Sequence, residues 1–209
     1  NIDGGTARGT TAIADGDGVL INDAGTMRMT SVETMATYIG TKVGGGLEFI
    51  ASSGAISNAA SVAFTQFDAS KYDGYLFRFY YVTPASDNVG LNWQSSANGG
   101  SSYDSGSSDY KEAGATYSYG YIFGTTQLGN ATNETGFSGQ AVLFAPQLTA
   151  YTSLMGEGIY VNSSGSLSAR THIHSQRASA AAVNAIQFLM SSGNIASGEI
   201  VMYGIANGT

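Results

Sequence analysis

Three places in the chain hold side chains able to bind or transform another molecule. The first is Asp15-Gly16-Asp17-Gly18, two carboxylates in a glycine-rich stretch. A helix–loop–helix calcium site needs oxygen donors at its first, third and fifth positions, Gly at the sixth and Glu at the twelfth. Counted from Asp15, the fifth residue is Val19, the sixth Leu20 and the twelfth Thr26. The pattern stops after two carboxylates. The stretch reads as a turn, with Asp side chains bonding nearby backbone and Gly supplying positive φ, and Asp15 and Asp17 are expected to hold no structural calcium.

The second place is Thr171-His172-Ile173-His174. His172 and His174 are the chain's two histidines, spaced so that both rings leave one face of a strand. Two imidazoles do not close a metal site. Three chains around an axis would bring six, an octahedral set for a transition metal. The simpler reading is a solvent-facing or interface strand. The expectation is no metal and no cofactor, with His172 and His174 at a trimer axis as the sole candidate ligands. The third place is the run "NWQSSANGGSSYDSGSSDY", Asn92 to Tyr110. Sugars are held by aromatic faces together with planar polar groups, and this run supplies both. Trp93, Tyr103, Asp104, Asp109 and Tyr110 are therefore expected to flank an exposed recognition surface, with Asn98 nearby. The alternative is a long polar hairpin loop with incidental aromatics, and a strand Trp serves equally as core.

Reactive motifs are poorly represented. "GFSGQ" and "SSGSLS" match the G-x-S-x-G elbow only loosely, with no strand–elbow–helix context. "GEGIYV" fails the dinucleotide pattern at its sixth residue, Val161. Four N-x-S/T sequons, at Asn130, Asn133, Asn162 and Asn207, are what chance gives in a chain this rich in Asn, Ser and Thr. Strand carboxylates able to act as acid and base are few: Glu48, Glu112, Glu157 and Glu199. The chain reads as a non-enzyme.

Composition narrows the partners. Hydrophobic residues make up 43% of the 209, enough for a large core, while charged residues reach only 11%, less than half the usual share of about a quarter. The surface must then be kept in water by hydroxyls and amides. A net charge of -7 with eight scattered Lys and Arg gives no attraction for nucleic acid or anionic lipid. With no Cys there is neither a disulfide framework nor a thiolate. No apolar run reaches membrane-spanning length, and no secretory leader is read. The chain opens on Asn1 rather than Met, which leaves processing or an upstream segment open.

The elements that would position these residues fall into two groups. In the first forty residues, Val19-Leu20-Ile21 lies between the turns "DGDG" and "NDAG". "TMRMT" then alternates, with Met27 and Met29 on one face and Arg28 on the other. "SVETMATYI" follows as a short helix, capped by Ser31 or Thr30, with Glu33 in its first turn and Gly40 as its C-terminal cap. Val32, Met35, Tyr38 and Ile39 form its apolar face. A strand–turn–strand–helix module of this size cannot bury its own faces, so those four residues are expected at an oligomer interface. Gly40 to Gly46 is a linker by composition, which divides the chain into a connector module, 1–43, and a β domain, 44–209. Beyond it come eight to ten short strands separated by Gly and Ser turns, the pattern of a sandwich or barrel. In "YLFRFYYV", Tyr75, Phe77, Phe79 and Tyr81 share one face and Leu76, Arg78 and Tyr80 the other. In "VGLNWQSS", Leu91 and Trp93 share a face. "SAAAVNAI" is the one further helical candidate. The fold class is all-β, a jelly-roll-like antiparallel β-sandwich preceded by the small module.

The stretch from Leu47 to Tyr110, with "LEFI", "FDASKYDGYLFRF" and "GGSSYDSGSSDY", and the closing "AIQFLMSSGNIASGEIVMYGI" resemble a β-rich domain common in tailed-bacteriophage fibre-like proteins. "GVLINDAGTMRMTSVETMATYI" is similar to a short connector found in many phage tail-fibre polypeptides. Together these cover most of the chain. The resemblance implies a homotrimeric virion structural protein on the outside of the particle, a fibre or knob, and it supplies no catalytic residues. Expected partners are further copies of the chain, other virion proteins through the N-terminal module, and host-surface glycan; nucleic acid and membrane insertion are not expected. The alternative within this class is a capsid head fibre or decoration protein with a purely architectural role. A glycan-cutting depolymerase ranks below both, since the long parallel β-helix repeat of tailspike depolymerases is not seen.

Overall fold

The computed structural model describes residues 12–42, 46–112, 114–122 and 127–206, and for residues 41, 42 and 169–173 the backbone alone. The chain divides into two compact units, Asn1–Gly45 and Gly46–Gly208.

In the first unit, β1 (Gly18–Asp23) and β2 (Thr26–Ser31) form an antiparallel hairpin, and α1 (Val32–Lys42) follows directly. Ala24 and Gly25 make the two-residue turn, both at positive φ. That conformation matches the twist of the flanking strands, and Asn22 Oδ1 accepts the Gly25 amide at 2.7 Å. The "DGDG" stretch is a turn: the Asp17 carboxylate accepts the Ala14 amide at 2.7 Å. Its backbone also caps the helix, since the Val32 and Glu33 amides donate to the carbonyls of Asp17 and Asp15. Ser31 is the N-cap, its Oγ accepting the Thr34 amide at 3.1 Å. Gly40 does not end the helix, which runs two residues further to Lys42 without a left-handed residue at Gly40. Val32 and Met35 are half-buried, while Tyr38 and Ile39 are exposed along with Leu20, Met27 and Met29 of the hairpin.

The second unit holds β3 (Leu47–Ser52), β4 (Val62–Phe64), β5 (Tyr72–Pro84), β6 (Leu91–Ser96), β7 (Tyr110–Glu112), β8 (Ala115–Tyr117), β9 (Gly120–Tyr121), β10 (Phe137–Phe144), β11 (Ser153–Val161), β12 (Leu167–Arg177), β13 (Ala185–Met190) and β14 (Ile195–Ala206). They form an eight-stranded sheet, β3-β14-β5-β10-β11-β12-β7-β8, and a four-stranded sheet, β4-β13-β6-β9. Every pairing is antiparallel. The order follows from one ribbon: β3 pairs with β14, β4 with β13, β5 with β10 and β6 with β9. Wrapping that ribbon on itself adds the β14–β5 and β13–β6 pairings, which is the jelly roll. The strands β11, β12, β7 and β8 extend the larger sheet on its β10 side.

Side chains from both sheets meet in an aromatic core. Phe188 of β13 packs edge-on against Phe77 and Phe79 of β5, with ring centres 5.0 and 5.1 Å apart, the geometry favoured by the ring quadrupole. Phe64 and Phe137 extend the cluster. The alternation read for β5 holds through Phe79, then breaks. Tyr81 takes φ +49° and is exposed, while Val82 returns to the core. The registers to β10 and β14 both shift there, as a β-bulge requires. The helix expected over "SAAAVNAI" does not form: Ala178–Asn184 is irregular and Ala185 begins β13. The carbonyls of Ser179 and Ala181 accept from the Arg177 guanidinium instead, and the Val183 amide donates to Pro146. Those bonds occupy groups a helical turn would need.

Gly120 faces Trp93 across the β6–β9 pairing, and a Cβ there would lie 2.0 Å from the indole nitrogen. Gly120→Ala is expected to destabilise the domain by about 1–3 kcal/mol through overpacking. Urea unfolding followed by the fluorescence of the single Trp checks this, and an unshifted midpoint would contradict it.

Candidate ligand-binding face

The loop expected to bind is mostly structural. Trp93 and Tyr110 are completely buried, and their rings pack edge to face at 5.0 Å. The Trp93 indole N–H donates to Ser175 Oγ at 2.7 Å. The Tyr110 hydroxyl accepts the Ser95 amide at 2.7 Å. Asp104 is engaged by Arg177, whose Nε donates to Oδ2 at 2.6 Å, and the arginine side chain is 4% exposed. Asp109 closes its own turn by accepting the Gly106 amide at 2.6 Å. Tyr103 is half-buried, and burial raises its phenol above the ordinary range. The expected exposed aromatic platform is therefore corrected: the loop folds back on β6, and Trp93 and Tyr110 turn into the sandwich because their polar tips find partners there.

What these residues do is hold the neighbouring strands from beneath. Tyr110 and Arg177 are cross-strand partners on β7 and β12, as are Lys111 and Gln176. Side chains alternate along a strand, so with Tyr110 and Arg177 facing in, Lys111 and Gln176 face out. On the same principle Trp93 bonds Ser175, which leaves His174 and Gln176 on the outer side. Ser153 of β11 pairs with Gln176 and continues the row.

This outer row lines an open depression of about 330 Å³ walled by Lys111, Glu112, Ser153, His174 and Gln176. Gln176 Nε2 donates to Ser153 Oγ at 3.1 Å, which fixes the amide plane. The Lys111 ammonium lies 5.3 Å from the centre of the Tyr151 ring, and Tyr151 is about half exposed. Beside it runs a second depression of about 270 Å³, lined by Gln140, Val142, Phe144, Met155 and Glu157. With Tyr151 in the segment just before β11, the face brings together one exposed ring, one amide, one imidazole and one ammonium, and the Glu112 carboxylate also lines the depression. Each side chain that faces out has a buried neighbour anchoring it. Sequence reading missed Lys111, Tyr151 and Gln176. The usable signal was the period of two, which places Lys111 opposite Tyr110.

His174 is exposed on this face, while the side chain of His172 lies outside the described residues. Among the described residues no three His, Asp or Glu side chains come together as metal ligands, and no helix is long and apolar enough to cross a membrane. Comparison of the chain with protein-family models, with curated proteins and with solved structures finds no match.

Two outcomes follow from the buried support. Asp104→Ala leaves the Arg177 guanidinium buried without its carboxylate and should cost about 3 kcal/mol in urea unfolding; a cost within error of zero would rule out the pair as an anchor. Burial pushes the Tyr110 phenol up to about 12, against about 10 in an unfolded chain. The folded state thus keeps a proton that the unfolded state releases. Its contribution to stability is complete below pH 10 and is lost between pH 10 and 12. The urea midpoint should fall between pH 9 and pH 11, and less steeply in Tyr110→Phe.

Proposed function

We propose that the chain is a non-enzymatic structural component of a bacteriophage virion. In this reading it is a trimeric, tail-fibre-like protein on the particle exterior, and its β domain contacts host-surface glycan. The observation that carries the binding half is the convergence of Tyr151, Lys111, Gln176 and His174 on one solvent-open face. An aromatic ring offers its face to the apolar side of a pyranose, while amide, imidazole and carboxylate groups meet the hydroxyls. The face is shallow and open, which suits holding a chain that passes across it. It does not provide the water-excluded enclosure on which enzymes draw to strengthen electrostatic catalysis. The assembly half draws on the N-terminal module, whose hairpin and helix leave Leu20, Met29 and Ile39 in solvent. The phage assignment itself stands on the sequence resemblance.

The test is adsorption of purified protein to host cells or their isolated surface polysaccharide, comparing wild type with Tyr151→Ala and Gln176→Ala. Tyr151 is exposed, so its replacement should change stability by less than about 0.5 kcal/mol, while Gln176, half-buried and bonded to Ser153, should cost about 1 kcal/mol. Loss of an aromatic anchor should weaken binding about tenfold or more. Folded variants that bind as well as wild type would remove the glycan role and favour the purely architectural reading, a head fibre or decoration protein.

A further inference from the structure

The outward face of the eight-stranded sheet is unusually apolar for an antiparallel sheet, whose solvent side is ordinarily polar. Cross-strand registers align one row across six strands: Phe49, Tyr203, Leu76, Val142, Met155 and His174. Leu47, Phe49, Phe144, Met155 and Ile159 are each about half exposed or more. Exposed apolar surface gathered on one side marks an interaction site rather than ordinary scatter.

We propose that this face, from β3 to the Met155–Ile159 part of β11, is covered in the assembled protein by the same face of other copies of the chain, with the glycan-binding depression left open beyond it on β12, β7 and the Ser153 end of β11. The inference extends the trimer reading by naming where the β domains meet. Two features select another copy as the occupant. The first is charge. Arg78, Gln140 and Glu157 are successive neighbours in one cross-strand row, so opposite charges lie roughly 10 Å apart on the same face. In the proposed contact Arg78 of one copy lies against Glu157 of the next, so that neither charge is covered uncompensated. The second is area. Five strands at about 4.8 Å spacing, each presenting about 20 Å of length, give roughly 500 Å² per copy. Three such faces meeting about one axis bury roughly 1,500 Å² in all, the size of a standard specific interface.

The experiment measures the dissociation constant of the full-length oligomer by dilution, using sedimentation velocity or single-particle mass measurement. The proteins are wild type, Met155→Glu, Arg78→Glu, Glu157→Arg and the double reversal Arg78→Glu/Glu157→Arg. Trp93, buried in the core of each protomer, reports folding separately from assembly. The expected result is a dissociation constant raised at least tenfold by Met155→Glu and by each single reversal, with the double reversal returning close to wild type. Folded variants with an unchanged constant would overturn the proposal, as would a wild-type protein that is monomeric at micromolar concentration. Weakening by the face variants in an oligomer of some other number would uphold the face and reject the trimer. Loss of glycan binding in Tyr151→Ala bears on the other site alone.

Discussion

β14 lies between β3 and β5 in the larger sheet, hydrogen-bonded to both. This places a late segment of the chain at the inside of the sheet, flanked by the first and third strands of the domain. Its inward residues, Ile200 and Met202, complete the core beside Phe77 and Phe79. Its outward residues, Val201 and Tyr203, continue the rows that begin on β3 and end on β11 and β12. Removing β14 would strand β3 without a neighbour in the sheet. The aromatic core and the apolar outer face both draw on that one placement.

The buried polar groups around Arg177 show how a weakly charged protein uses one of its few ion pairs. A buried pair is seldom a large net gain over apolar packing, because desolvating both ions offsets their attraction. Here it provides position. Arg177 draws in Asp104 from the long loop and the carbonyls of Ser179 and Ala181 from the segment before β13. A loop more than 70 residues away in sequence is thereby held against the end of β12 and the segment that follows it. Tyr110, cross-strand from Arg177, ties the same region to Ser95 of the four-stranded sheet. The outer residues of β7 and β12 inherit their orientation from these inner contacts.

Much of the architecture was legible residue by residue. Ser31 or Thr30 announced the start of the helix, "NDAG" the hairpin turn, and Tyr75, Phe77 and Phe79 a shared face of β5, which in the fold is the inward one. What escaped depended on partners far along the chain. Tyr81 continues the period of two in sequence, yet a bulge shared with β10 and β14 turns it out. "SAAAVNAI" has the composition of a helix, but its carbonyls are taken by a guanidinium. Trp93 and Tyr110 sit beside a polar loop and look like surface residues. Their burial depends on Ser175 and Ser95, one of them more than 80 residues from its ring, and no local pattern encodes that. The candidate site was missed for the same reason: Tyr151, Lys111 and Gln176 come from separate segments that only the sheet order brings together.

Leu47 stands opposite Ile205 where β3 and β14 pair, so the two ends of the β domain's sheet leave it side by side. The mechanical consequence is direct. A force drawing those ends apart would act on the ladder like a zipper, loading its hydrogen bonds one after another. Each is worth only about 1 kcal/mol net, and none would share its load with the next. The domain would be a poor link in series between two pulling attachments. Held from its N-terminal side alone, it would load that ladder only with the drag on its own body, because nothing would pull on the β14 end.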